Sequence, residues 1–358
     1  MVDKKGVSTL KVAGAYIGTV VGAGFATGQE ILQFFNRFGV MGLAGLAVTT
    51  TMFIVFGYII MVLGRKLKAR SHMEIIMYSG GKKIGAAIDK IVTFFLLCSF
   101  IAMISGTGAM FAQQFNLPVM YGNILMTVLT AATVLTGIGG VINSISFIVP
   151  FTLTGVAVIS ILSIAHTPLS IIPAMPLIGE NRLLPNWIFA AILYVSYNII
   201  LSVAVLGPLG SEARDMKAVR NGVILGGLGL GLGSLMIYLT LSGNIWKIAH
   251  VEIPMMYIAG KISRKMQYIY SAVLIAEIYT TAVGSFYGFI SRITNLEKQS
   301  VRSGIIVVVS AAIALIASQL GFSNLVKYLY PIEGCAGILL LISLIYSWFF
   351  TRRSVKLK

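Results

Sequence analysis

The chain is poor in charge. Of 358 residues only 27 are Lys or Arg and 11 are Asp or Glu, 11% together. A soluble domain carries about 25% charged residues. With 57% hydrophobic residues and a mean hydropathy of +0.92, this chain cannot cover a water-facing surface. Disorder and collagen are excluded by the same figures. Cysteine is scarce too. Cys98 and Cys335 each lie in an apolar run, which excludes a disulfide scaffold. Histidine occurs three times, at His72, His166 and His250, in or beside loops and never as HExxH. No nucleophile–base or metal constellation stands out, so the chain is not read as an enzyme. There is no Walker A motif either, which argues against direct ATP drive. The net charge of +16 would suggest nucleic acid on a soluble protein. Here no Asp, Glu, Lys or Arg occurs from Ile91 to Gly179, and the charges lie between such stretches. That is the pattern of a polytopic membrane protein, with lipid and not nucleic acid as its surroundings.

What is present in quantity is long apolar runs. A membrane helix needs roughly 20 mostly apolar residues. Ten such spans are expected, at about 9–37, 40–64, 90–115, 121–142, 145–165, 185–211, 218–242, 266–292, 302–321 and 324–351. With a cytoplasmic N-terminus, 20 of the 27 basic residues fall on the inside and 7 on the outside. This split predicts a multi-pass cell (inner) membrane protein with both termini cytoplasmic. Residues 67–90 read as a cytoplasmic loop with a short amphipathic helix. Trp246–Ile262 reads as an extracellular segment near the interface. Ten spans divide as five and five, and an odd half must be inserted upside down, which is an inverted repeat. The expected halves are 1–165 and 185–351, joined by an extracellular connection at 166–184 and followed by a cytoplasmic tail at 352–358.

Two spans are expected to break. In span one, Gly22-Ala23-Gly24-Phe25 sits mid-membrane, ahead of polar Thr27, Gln29 and Glu30. Glycine weakens a helix by about 1 kcal/mol relative to alanine, and unwinding exposes backbone groups to a ligand. In span six, Tyr194, Ser196, Tyr197, Asn198 and Ser202 gather polarity at the midpoint, and Gly207-Pro208 offers an alternative break. Ser105 in span three is small and polar at mid-depth. Gly14 and Gly18 of span one, and the run Gly226–Ser234 of span seven, read as helix-packing surfaces rather than as a phosphate loop.

The run Gly18–Phe35 resembles the opening helix of the YkvI-type bacterial membrane proteins. These are grouped with the amino acid–polyamine–organocation (APC) superfamily, which has the LeuT-like five-plus-five fold. The resemblance implies an all-α fold of ten transmembrane helices, with helices one and six broken around a substrate site. It implies a secondary transporter of a small polar solute, an amino acid or related amine, rather than an ion channel or an intramembrane enzyme. Candidate substrate-binding residues are Gly22, Ala23, Gly24, Phe25, Thr27, Ser105, Tyr194, Ser196, Tyr197 and Asn198. No cofactor is expected beyond Na+ or H+ as coupling ion.

Three carboxylates fall inside spans: Glu30, Glu277 and Glu333. Each costs at least about 2–3 kcal/mol in hydrocarbon, so each needs a cavity, a partner or a proton. Glu277, Thr280 and Thr281 share one helix face. Thr280-Thr281 is similar to the hydroxyl pair that sodium-coupled members of the fold place on span eight, and these two are the candidate Na+ ligands. Glu277 departs from that pattern and is a sodium ligand or a proton carrier. Glu30 attracts a cationic substrate or pairs with Arg37. Glu333, beside Pro331, is a second proton-path candidate.

Overall fold

The computed structural model describes residues 6–69, 72–136, 149–294 and 301–354. Among the described residues the apolar runs fold as helix. They are α1 (Thr9–Val20), α2 (Ala23–Thr27), α3 (Gln29–Phe34), α4 (Val40–Leu67), α5 (His72–Phe115), α6 (Val119–Leu135), α7 (Val149–His166), α8 (Trp187–Glu212), α9 (Met216–Ser242), α10 (Pro254–Ile262), α11 (Arg264–Ile293), α12 (Val301–Ala317) and α13 (Tyr330–Ser354). Among the described residues seven helices are long and apolar enough to cross a membrane: α4, α5, α8, α9, α11, Val301–Leu320 and Phe322–Phe349. Two apolar helices, α6 and α7, are shorter. The expected junction of spans four and five, at 142–145, lies within 137–148, outside the described residues, as do Lys4, Lys5, Arg70, Lys298, Lys356 and Lys358. The isolated bridge between Val7 and Ala213 is the one extended pairing among the described residues.

Helix starts follow polar caps. Asn186, Asp215 and Ser263 accept the N–H groups of Phe189, Ala218 and Met266 and so begin α8, α9 and α11. The Ala218 N–H, at 2.6 Å, holds the Asp215 carboxyl below its usual range. Inside α5, Gly81 takes φ 65° and ψ −174°, which separates a first helical stretch from the long membrane-length part. Only a residue without Cβ adopts that geometry freely.

Glycines set the helix crossings. A Cβ on Gly64 of α4 would lie 2.8 Å from the Gly207 carbonyl carbon of α8. A Cβ on Gly210 would lie 2.6 Å from the Met61 Cα. The two backbones therefore touch, as small residues allow in membranes. The glycine run of α9 works on two faces. Gly227 and Gly231 meet Ile54 and Thr50 of α4, whereas Gly229 and Gly233 meet Ile17 of α1 and Phe25 of α2. Gly14 does not share this role, since a Cβ there would meet nothing within 4 Å. The outer helices present apolar side chains, such as Ile305, Val308, Ile313 and Ile316 on α12, as a lipid-facing surface requires.

In the segment 246–262 Trp246 is exposed, whereas Pro254, Met255, Met256, Ile258 and Ala259 of α10 are buried, because α10 packs against α7 and α11. One expectation needs correction. Span six is not broken. α8 runs from Trp187 to Glu212 without interruption, with Pro208 inside it.

Candidate functional site

Span one is interrupted twice. α1 stops at Val20, and Val21 and Gly22 are extended, with ψ of 116° and −174°. α2 then makes little more than one turn before Gly28 enters the left-handed region at φ 83°. A helix end leaves its last carbonyls, and a helix start its first N–H groups, without intrahelical partners. Both kinds of group therefore meet at Val21–Gly22. Gly22, Ala23, Gly24, Phe25 and Thr27 form this segment, and Ala23–Thr27 are buried. The Thr27 hydroxyl donates to the Gly24 carbonyl at 2.9 Å, and the Tyr270 hydroxyl of α11 donates to the Ala26 carbonyl. These bonds leave the turn attached to α11.

On α11, Thr281 lies against the break: a Cβ on Gly22 would sit 3.8 Å from its Oγ1. Thr280 is satisfied within its own helix, donating to the Glu277 carbonyl at 3.0 Å. The buried Glu277 carboxylate turns the other way. Its Oε2 accepts the Thr152 hydroxyl of α7 at 2.7 Å. The three side chains share a helix face, as their spacing requires, yet their contacts diverge. Thr152 is the partner that sequence reasoning missed. It lies on a different span, and only its place in an apolar helix could have marked it.

The polar residues of α8 divide into two groups. Ser196 donates to the Gly334 carbonyl of α13 at 2.7 Å, Asn198 to the Tyr194 carbonyl at 2.9 Å, and Ser202 to the Asn198 carbonyl at 2.7 Å. Polar side chains that bond to carbonyls of their own or an adjacent helix leave no reason to unwind, which is why α8 stays whole. Tyr194 and Tyr197 instead face Glu30 of α3. Around them stand Phe34, Phe35, Phe53 and Tyr330, with Tyr197–Tyr330 centroids 5.0 Å apart. Glu30 does not pair with Arg37. The Arg37 guanidinium is fully buried and donates to the Gln33 carbonyl, the Gln33 Oε1 and the Gly179 carbonyl, at 2.7–3.1 Å. Gly24 is what admits Glu30: a Cβ there would lie 2.7 Å from the Glu30 Cδ.

Glu333 comes from α13, beyond a π-helical turn at Leu325–Leu329. Such turns mark functional places in helices. Pro331 has no N–H to give to the Lys327 carbonyl four residues back. The Asn181 side chain supplies that bond at 2.6 Å.

A cavity of about 400 Å³ lies nearby, lined by Ser105 and Gln113 of α5, by His250 and Glu252, and by Phe322. Gln29 bonds at its edge, donating to the carbonyl of the lining residue Val251 at 2.8 Å and to the Ser323 hydroxyl at 2.9 Å. Glu252 Oε2 receives the Ser323 N–H and hydroxyl at 2.7 and 2.8 Å. Far from this cavity, at the start of α5, His72 contacts Arg292, which pairs with Asp89 at 3.0 Å. Burial first, and Arg292 second, push the His72 imidazole below its usual pKa.

No family model matches the chain. It is 31% identical over 343 residues to the uncharacterized membrane protein YkvI of Bacillus subtilis (strain 168), covering 93% of this chain and 94% of YkvI. It is 28% identical over 333 residues to the uncharacterized protein YyaD of the same organism, covering 92% and 94%. Among solved structures, the inward-facing conformation of Mhp1 aligns with a TM-score of 0.72 at 14% identity, over 97% of this chain and 77% of that one. A Na+-coupled sialic acid symporter in its substrate-bound outward-open state aligns with 0.66 at 12%, over 94% and 79%. MhsT, in complex with L-phenylalanine, aligns with 0.58 at 14%, over 94% and 98%. The chain belongs to the YkvI family of membrane proteins and carries the LeuT-like fold.

Proposed function

We propose that the protein is a secondary transporter of a small polar solute, working by alternating access around the break at Val21–Gly22. The observation that carries this reading is the position of that break. The end of α1 and the start of α2, where carbonyls and N–H groups lack intrahelical partners, lie at mid-span with Gly22 against Thr281 on α11, in a turn whose far end bonds to Val251 at the edge of the cavity. A membrane helix is not interrupted in hydrocarbon unless protein, ligand or ion takes up the freed groups. α2 is only five residues long, so its dipole adds little and the N–H and C=O groups themselves would be the binding elements. An amino acid or related amine is the substrate class we favour, from the family resemblance.

We read ten spans. The seven long helices and the two shorter ones join the interrupted stretch α1–α3. The halves 1–165 and 185–351 are read as inverted repeats, with 166–184 between them and both termini cytoplasmic. What supports this is the exchange of contacts. α1 packs extensively on α9, the second helix of the other half, and α8 packs extensively on α4. Exchanging the halves turns one contact into the other.

Thr281 and the carbonyls at Val21–Gly22 are our candidate Na+ ligands, and Glu277 our candidate for the coupling charge at the same level. Uptake into proteoliposomes, driven in turn by a Na+ and a proton gradient, tests both points. We expect saturable uptake and counterflow, and a Glu277→Gln variant that exchanges substrate but no longer concentrates it. Unsaturable, channel-like flux would refute the transporter reading. Unchanged accumulation in Glu277→Gln would remove Glu277 from coupling.

A further inference from the structure

Glu30 and Glu333 lie on different halves of the chain, yet the fold buries them in one place. Each is at most 4% exposed. The neighbours that feel their charge are the hydroxyls of Tyr194 and Tyr197 on α8, Tyr330 on α13, the Cys98 thiol on α5, and each other. Ser234 of α9 stands beside Tyr194. None of the ion pairs among the described residues involves either carboxylate. Four buried polar atoms here have no hydrogen-bond partner among the described residues: Glu30 Oε2, Glu333 Oε1, Tyr194 Oη and Tyr197 Oη.

The donor inventory decides what this cluster holds. An ionised carboxylate only accepts, and a buried one needs donors for its oxygens. The two free hydroxyls face Glu30. Glu333 Oε1 has no donor aimed at it. Two unpaired negative charges cannot share a dry site without a cation. A protonated carboxyl brings its own donor and removes one charge. The aromatic rings around the cluster stand 4.9–6.1 Å from one another and pack among themselves, which favours a proton over an organic cation.

We propose that Glu30 and Glu333 form a proton-binding cluster, distinct from the Glu277–Thr281 level, that keeps α3 seated against α8 and α13 only while it holds at least one proton. Glu333 carries that proton in the seated state, and Glu30 is the member with hydroxyls ready to stabilise its charge. Loss of the last proton leaves two charges that only water can solvate. α3 then leaves the cluster. The link to transport rests on the transporter reading above; the proton itself does not.

Infrared spectroscopy of the purified protein in lipid tests this without any substrate. All samples carry Glu277→Gln, so that Glu277 contributes no signal. The expected result is a protonated-carboxyl C=O band at neutral pH that Glu333→Gln removes. In Glu30→Gln the remaining band should disappear at a pH lower by about one unit or more, because the neighbouring charge is gone. Absence of a pH-sensitive band before these substitutions, its survival in Glu333→Gln, or an unchanged midpoint in Glu30→Gln would each overturn the cluster. Should one variant fail to fold, the other two samples still decide. Loss of the band on adding NaCl at constant pH would reassign the site to a metal cation. A second measurement follows the seating of α3. With Cys98 and Cys335 replaced by alanine, maleimide labelling of Leu32→Cys should rise with pH at the midpoint of the band. Labelling that is flat across that midpoint would refute the seating role.

Discussion

The contact between Gly24 and Glu30 makes a prediction with a sign that reverses. Replacing Gly24 with alanine places a Cβ 2.7 Å from the Glu30 Cδ and 2.8 Å from its Cγ. Ordinary contact begins near 3.4 Å, so the carboxylate must move. A flexible side chain on a surface would yield cheaply. Glu30 is 4% exposed and faces Tyr194 and Tyr197, which pack against Phe34 and Phe35, so it has nowhere to go without displacing a ring. Overpacking of this kind costs about 1–3 kcal/mol. Alanine returns up to about 1 kcal/mol of helix propensity over glycine. The expected net loss in Gly24→Ala is therefore about 0–3 kcal/mol. In a Glu30→Ala background the obstruction is absent and only the propensity gain remains, so Gly24→Ala should there be neutral or stabilising. The interaction between the two sites should amount to about 1–3 kcal/mol, within the range for residues in contact. Apparent Tm of the detergent-purified proteins at one heating rate reads this out, as unfolding of such proteins is commonly irreversible. Equal shifts of Tm for Gly24→Ala in both backgrounds would refute the contact, and with it the placement of Glu30 over α2.

Three further outcomes follow from single contacts. Gln29→Ala removes two bonds that tie α3 to Val251 of the cavity lining and to Ser323; a cysteine at Ser105 should then react faster with a water-soluble thiol reagent than with Gln29 present. Asn181→Ala leaves the Lys327 carbonyl without the donor that Pro331 cannot supply; this should cost about 1–3 kcal/mol, read as a lower Tm, whereas Asn181→Asp should fail to rescue it. Folded His72 holds its proton less readily than free histidine, whose pKa is 6.5, so the unfolded chain takes up the proton first and His72 subtracts stability as pH falls through that value. His72→Gln should therefore lose less Tm between about pH 7.5 and pH 5.5 than the unsubstituted protein does.

The sequence made helices legible through their length, apolarity and caps, and it located the break in span one because glycine clusters there just ahead of Thr27, Gln29 and Glu30. It misplaced the break in span six for a physical reason. Ser196, Asn198 and Ser202 look like exposed polarity in one dimension, yet each bonds to a carbonyl of its own helix or of α13. The difference between Tyr194 or Tyr197 and Ser196 is which way each points, and periodicity on an interrupted neighbour cannot settle that. Glu30 and Arg37 are two helical turns apart and of opposite charge, so pairing was the natural expectation. The structure gives Arg37 to Gln33 and Gly179 instead, because the stretch around Ala174–Gly179 folds back onto Asn36 and Arg37, a long-range contact with no local signature. Thr152 and Tyr330 were invisible for the same reason.

The arrangement of span one explains why one segment would bear so much of the chemistry. α2 and α3 are short and joined by a left-handed glycine, so neither is held by a continuous helix. At its start the segment meets Thr281 across Gly22, and through Ala26 it meets Tyr270, so this end follows α11. Past Gly28 it carries Glu30 to α8 and α13, and Gln29 to Val251 at the cavity's edge. On the proposed reading, a cation at Gly22–Thr281 pulls one end toward α11 while a proton at Glu30–Glu333 holds the other end against α13. On that reading the segment satisfies both only in the arrangement seen here. Removing either charge carrier leaves unpaired polar groups at membrane depth, and that energy is available to open one side of the bundle. Coupling then requires no rigid lever. It requires that α2–α3 be too short to be stable alone, which their lengths ensure.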